Sequence, residues 1–243
     1  MDKKDDKELE AALADIITAR PHEVRVGEKV LQLYPVTLAK TFLLRPWMEA
    51  LELDPDVMSA NPYMECLRIA DARPDIVAHI LSVYTAPNSY KDLHDSNAAE
   101  VRYQLLSSVK PEHLAGLLMI VLTQDRTEQI SRYLGLEDEQ RRMKEVLKIK
   151  NAHEKNSRNY GGITIFGSFI GQLKEMGYSD DEILFERGYS YLRLMLADKV
   201  TNVYLSDDDL ADLSSEAGGT LLDGEDDASL DVLSSLIRSG GTN

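Results

Sequence analysis

Apolar residues recur every three or four positions through most of the chain, and that period predicts a mainly helical protein. In residues 6–19, Leu9, Leu13 and Ile16 or Ile17 keep the spacing until Arg20 and Pro21 end the helix. The next stretch, EVRVGEKVLQLYP, changes to alternation: Val24 and Val26 alternate with Glu23 and Arg25, and Leu31 and Leu33 flank Gln32. A two-residue turn at Gly27 and Glu28 sets Val24 opposite Leu31 and gives a small hairpin one apolar face. An isolated hairpin is marginal in water, so this one must lie on a helix or pair with another chain.

From Thr37 the helical period returns. Thr37 is placed to cap a helix holding Leu38, Phe42, Leu43, Trp47 and Leu51, and Pro46 is expected to kink or divide it. Pro62 and Pro74 open helices through Met64, Leu67 and Ile69, and through Ile76, Val77, Ile80, Leu81 and Tyr84. A loop is expected around APNSYKDLHDSN. Pro111 then opens HLAGLLMIVL, apolar nearly all round and therefore the most buried helix. GLEDEQRRMKEVLKIKNAHEKNSRN reads as a polar helix with a thin seam of Met143, Val146, Leu147 and Ile149, fading into a loop. After Gly177, the residues Ser179, Asp180 and Asp181 form a capping cluster. Tyr189, Leu192, Leu196, Val200 and Val203 then continue at helical spacing.

Charge divides the chain further. The net charge is −15; residues 206–243 hold ten acids against Arg238 alone, a net of −9, which leaves −6 for the rest. An acidic surface repels phosphate backbones, so whole-chain nucleic-acid binding is not expected. Residues 141–158 run against that sign with seven bases and two acids, a solvated helix face or a contact for an acidic partner or for the chain's own acidic tail. Beyond Leu205 the composition turns to Asp, Ser and Gly, which offers too little apolar area to offset ordering entropy. Within it, SLDVLSSLIRS is able to form a short helix on a partner surface. The expected organisation is a helical extension at 1–22, a compact multi-helix body at 23–205 with the hairpin at 23–34, and a disordered acidic tail at 206–243. Cys66 is the single cysteine, which excludes a disulfide framework within the chain. No signal-like or membrane-spanning apolar run is found.

The segment NYGGITIFGSFIG, residues 159–171, raises the question of a phosphate loop. Such a loop needs a buried strand before it and a Lys after its last glycine; HEKNSRNY precedes it, and Ser168 and Phe169 fill the required positions. A helix that enters at Gly161 and Gly162, is capped by Thr164, and carries Ile165, Phe169, Leu173 and Met176 on one stripe fits better. Gly167 and Gly171, four apart, then form a face for close approach of a second helix. His22, His79, His94, His113 and His153 lie far apart in no ligand spacing, and no Gly-x-Ser-x-Gly occurs. No catalytic residue, metal site or cofactor is therefore expected.

Three stretches carry a resemblance: VRVGEKVLQLYPVTLAKTFLL, YGGITIFGSFIGQLKEMGYSDDEILF and GYSYLRLMLADK. Their order and character resemble the tail assembly chaperones of long-tailed bacteriophages and prophages. In that family a glycine-bearing helix is followed by an acidic cap and by a Leu-rich, Met-containing helix ending near Ala-Asp, matched here by Leu192, Leu194, Met195, Leu196, Ala197 and Asp198. The resemblance spans Val24 to Lys199; Tyr178, where a Trp-type residue is common nearby, and the long acidic tail depart from it.

What the resemblance implies is a non-enzymatic protein of the host bacterial cytoplasm, absent from the mature virion. It would bind and solubilise the tape measure protein before the tail tube polymerises. The alternative is a structural virion component such as a head–tail connector or tube-associated protein. Its partners would be the tape measure protein first, then the tail tube protein or a second copy of the chain, with neither nucleic acid nor membrane. Candidate contact residues are Phe166, Gly167, Phe169, Gly171, Tyr189, Tyr191, Leu192 and Met195, although apolar stripes at helical spacing usually pack inward.

Overall fold

Prolines and short polar side chains set where the helices begin. Pro55, Pro62, Pro74 and Pro111 occupy the first turns of α3 (Pro55–Ala60), α4 (Pro62–Ala72), α5 (Pro74–Tyr84) and α8 (Pro111–Thr123), where a missing N–H costs nothing. Thr37, Asp54, Asn61, Ser89 and Asp95 each accept a backbone N–H at the start of a helix. Ser89 and Asp95 lie in the expected loop APNSYKDLHDSN. They cap α6 (Tyr90–His94) and α7 (Ser96–Ser107), because the side chains that make a segment look like loop are the same ones that start helices. The remaining helices are α1 (Lys3–Thr18), α2 (Leu38–Glu49), α9 (Thr127–Tyr133), α10 (Leu136–His153), α11 (Gly171–Glu175) and α12 (Tyr189–Ala197). Two π-helical turns, Phe166–Ile170 and Glu182–Glu186, complete the set among the described residues. This computed structural model describes residues 3–26, 29–153, 164–200 and 203–206.

The fold is mainly helical with one small antiparallel hairpin. β1 (His22–Val26) pairs with β2 (Lys29–Leu33), and Val24 faces Leu31 as the alternation requires. Gly27 and Glu28 lie outside the described residues. The hairpin meets its need for cover by lying on helices: Leu33 is fully buried, and Val24, Val26 and Leu31 pack on the core built by α2, α4, α5 and α8. As expected, α8 is deeply set, with Leu114, Ala115, Leu117, Leu118 and Val121 buried. Pro46 does not divide α2, which runs on to Glu49.

Two further clusters extend this core. Leu9 of α1 packs with Ile130, Leu136 and Leu194, so the N-terminal helix lies on α9 and α12. Leu38 packs with Leu173, Ile183 and Leu192, joining α2 to the segment that follows residue 164. A bridge between Thr37 and Gly188, with Tyr189 N–H donating to Val36 at 2.7 Å, fixes the start of α12 beside the chain leaving the hairpin. Contacts divide the chain into two units, residues 1–139 with 160–200, and residues 140–159 with 201–243. Of the second unit, the described part is α10 beyond Glu139 together with residues 203–206. Apart from Ser206, the expected acidic tail lies outside the described residues.

Among the described residues, two charged side chains are fully buried, Lys40 and Glu65. Glu65 accepts the Asp54 N–H at 2.7 Å and both Nε and a terminal nitrogen of Arg68. Those Arg68 hydrogen bonds, against the opposing effect of burial, hold its carboxyl down at about 2. Arg68 also donates to the carbonyl of Glu52, and Arg73 to that of Ala50, which fastens a turn in which Glu52 sits at φ +50°. A carboxyl held below its ordinary range stabilises the fold fully above about pH 4.3 and loses that contribution as pH falls toward 2. Glu65→Gln keeps an acceptor for Asp54 but loses the charge. It should lower stability by about 1 kcal/mol at pH 7 and make urea unfolding less sensitive to acid between pH 4.3 and 2.

Candidate functional site

α2 carries more apolar residues than one buried face can use. Its inner side is taken by Leu38, Lys40 and Leu44. Lys40 is drawn in because its ammonium group donates to the Ala86 carbonyl at 2.7 Å, and it lies 5.5 Å from the Tyr34 ring centre. That choice of inner face leaves Phe42, Leu43 and Trp47 outside, at 49%, 47% and 38% exposure, with Pro46 exposed among them. Pro46 lies four residues from Phe42 and three from Leu43, and Leu43 lies four from Trp47, so neighbouring pairs link the four into one continuous apolar patch. Trp47 is held in place: its ring lies 4.0 Å from that of His79, which meets Tyr103 edge-on at 6.3 Å. Burial pushes the His79 imidazole below its ordinary range, which favours a neutral ring under Trp47. A rigid Trp among exposed apolar neighbours is the composition of a protein-binding hot spot.

The periodicity of the sequence groups Phe42, Leu43 and Trp47 with Leu38 and Leu51 as one apolar set. The structure splits that set, burying Leu38 and Leu51 while exposing the other three. The available signal was the excess itself, since Phe42, Leu43, Leu44, Pro46, Trp47 and Met48 occupy more than one side of any helix.

A cleft of about 330 Å³ opens on another side of α2. Val36, Leu44, Met48 and Tyr189 supply apolar wall, and Tyr84 and Asp125 supply polar groups. Asp125 accepts from the Thr127 N–H at 3.0 Å and from Ser190 Oγ at 3.3 Å, and it pairs with Arg193 at 3.4 Å. Burial would raise its carboxyl; the Thr127 hydrogen bonds, the Arg193 charge and Ser190 together bring it below the ordinary value. Burial and the nearby Asp125 charge push the Tyr84 phenol up to about 12. An occupied carboxylate beside a phenol this weakly acidic is suited to holding a ligand group and poorly suited to moving protons near neutral pH. Among the described residues, no group of three His, Cys, Asp or Glu side chains is placed to hold a metal ion. No described helix is long and apolar enough to cross a membrane.

The residues singled out from the sequence are only partly brought together. Phe169, Tyr189, Tyr191 and Leu192 belong to one cluster with Leu173 and Ile183, the Phe169 and Tyr189 rings 5.4 Å apart. Leu192 is fully buried there and offers a partner no surface. Tyr189 and Tyr191 border the cleft. Met195 is half-buried, and Phe166 is 74% exposed outside the cluster.

The glycines play a different part from close packing against a second helix. Gly167 is exposed, and the Gly171 N–H donates to the Phe166 carbonyl to close the π turn. A Cβ on Gly171 would stand 3.0 Å from that same oxygen, so this glycine serves its own turn. Thr164 contributes its carbonyl, which accepts from Gly167 and Ser168, in place of the expected side-chain cap. Gly161 and Gly162 lie outside the described residues. The Ser179 cluster does form a capping box: Ser179 Oγ accepts from Glu182 N–H, and Glu182 accepts from Ser179 N–H at 3.0 Å.

No family model matches the chain, and no curated protein or solved structure shows significant similarity to it.

Proposed function

We propose that the protein is a non-catalytic binding module that covers an apolar stripe on a helical protein partner. The observation that carries this reading is the exposed Phe42–Leu43–Pro46–Trp47 patch on α2, with Trp47 already fixed against His79. Such a patch costs solubility unless a partner covers it, and a rigid anchor binds with little loss of side-chain freedom. Side chains spaced this way match the i, i+3, i+4 anchors of an amphipathic helix. The net charge of −15 favours keeping a complex with an aggregation-prone client in solution.

The client proposed is the tape measure protein of a long-tailed phage, as the resemblance of the three stretches implies. On this reading the protein acts in the host cytoplasm before tube polymerisation and leaves the finished particle. A long client with repeated apolar stripes binds many copies through weak contacts, so no single tight site is needed. Co-expression should raise the soluble fraction of a tape measure protein several-fold; equal insolubility with and without the protein, across several client constructs, sinks the client assignment. Purified particles should lack the protein. Its presence there in stoichiometric amount decides instead for a connector or tube-associated component.

A further inference from the structure

The fold leaves the Tyr84 hydroxyl without a partner. Tyr84 is only 7% exposed, its carbonyl accepts the Tyr34 N–H at 2.9 Å, and its hydroxyl makes no hydrogen bond to any described residue. The oxygen is not sealed from solvent, and Tyr84 lines the cleft beside α2, so the hydroxyl opens into that space. Burial, with the Asp125 charge adding to it, holds the phenol at about 12, so near neutral pH it keeps its proton and is a donor. A ligand that supplies an acceptor there recovers what burial of the hydroxyl costs.

Asp125, on the same cleft, has acceptor capacity to spare. Its Oδ1 takes the Thr127 N–H and the hydroxyls of Thr127 and Ser190, whereas among the described residues its Oδ2 takes only Arg193, at 3.4 Å. The two acids that line the cleft are both paired, Asp125 with Arg193 and Asp15 with Arg20 at 3.3 Å, so its charge favours neither an anion nor a cation. Val36, Leu44, Met48 and Tyr189 form the apolar wall. The 330 Å³ corresponds to about eleven waters at roughly 30 Å³ each, which is room for one capped amino acid.

We infer that this cleft binds a small neutral amide with an apolar body, the Tyr84 hydroxyl donating to the ligand carbonyl and Asp125 Oδ2 accepting the ligand N–H. An amide brings both the acceptor that Tyr84 lacks and the donor that Asp125 has room for, and the apolar wall covers the remainder. A carboxylate in its place sets a second negative charge against Asp125 and offers it no proton. A purely apolar ligand takes water from both polar groups and returns nothing. The site lies on another side of α2 from the Phe42–Trp47 patch and does not depend on the client proposed for that patch.

The probe is N-acetyl-leucinamide, titrated into the full-length protein isotope-labelled at its methionine methyls. Met48 lines the cleft, whereas Met64, 53% exposed on α4, does not. The Met48 signal should shift saturably with a Kd on the order of 1 mM while the Met64 signal stays in place. Tyr84→Phe removes only the hydroxyl, so its melting midpoint should match the wild type while its Kd rises about five-fold, the worth of one hydrogen bond. N-acetyl-leucine, an anion at neutral pH, should bind at least about ten-fold more weakly than the amide. An unmoved Met48 signal up to about 50 mM probe, an equal Kd in Tyr84→Phe, or equal binding of the anion overturns the proposal. Replacing Phe42 and Trp47 together by Asp should leave this Kd unchanged; loss of the titration there assigns the probe to the exposed patch and overturns the cleft as its site.

Discussion

Replacing Phe42 and Trp47 together by Asp abolishes binding to an apolar helical client while leaving the helices in place. Truncating a central aromatic anchor typically costs 2 kcal/mol or more, so the pair should weaken binding by about a thousand-fold. Stability changes much less. Phe42 is half exposed, and substitutions at such positions usually stay within about 0.5 kcal/mol. Trp47 gives up its tilted ring contact with His79, worth about 1 kcal/mol. Far-ultraviolet circular dichroism should then match the wild type, with the melting midpoint lower by a few degrees. Val101→Asp is the control: Val101 is 69% exposed on α7, and its change should leave binding intact. A double variant that holds the client in solution as well as the wild type removes α2 from the binding surface.

Lys40 should make the protein more stable as pH rises from 7 to 9. Its side chain is buried, and burial, with the Arg102 charge adding to it, lowers its ammonium group to about 7. The unfolded chain holds that proton up to about pH 10.4. Between the two values the unfolded state binds more protons, so each rise in pH favours folding. From pH 7 to 9 the gain is about 2 kcal/mol. Above pH 9 the trend is opposed. Burial raises the Cys66 thiol to about 11 and the Tyr84 and Tyr178 phenols to about 12, so these groups ionise first in the unfolded chain and draw stability away. Lys40→Met should flatten the rise between pH 7 and 9 in urea unfolding. Equal slopes in the two proteins place the titrating group elsewhere.

These two predictions rest on α2, where local pattern and tertiary choice part company. The hairpin register and most helix starts were legible because they depend on neighbours: Val24 on Leu31, seven residues on, and α4 on Asn61 and Pro62. Which side of α2 turns inward depends instead on Ala86, whose carbonyl accepts a hydrogen bond from Lys40 Nζ, 46 residues away. A lysine in the sequence argues for an outward face, and Phe42 and Trp47 argue for an inward one. Both signs are reversed here, because one hydrogen bond and a tilted ring contact with His79 suffice to reassign the side. The tyrosines of α12 illustrate the same limit. Tyr189 and Tyr191 were placed on the right helix, but their position at a cleft depends on Val36, Leu44 and Asp125, none of which is near in sequence.

The π turn at Phe166–Ile170 has a consequence for chain length. Going along this segment, backbone donors reach back three residues at Gly167, four at Ser168 and five at Gly171. A turn that reaches back five holds one residue more than an α-helix uses, and it sets Phe169, Ile170 and Leu173 together against the same cluster. Held in ordinary α-helical pitch with all its residues, the segment would instead have every later side chain up to Gly177 rotated by about 100° about the axis. Phe169 and Leu173 would then no longer face Tyr189 and Ile183 together. The wide turn absorbs that surplus residue and so keeps a helix that starts near Thr164 in alignment with a core that α2 and α12 have already fixed.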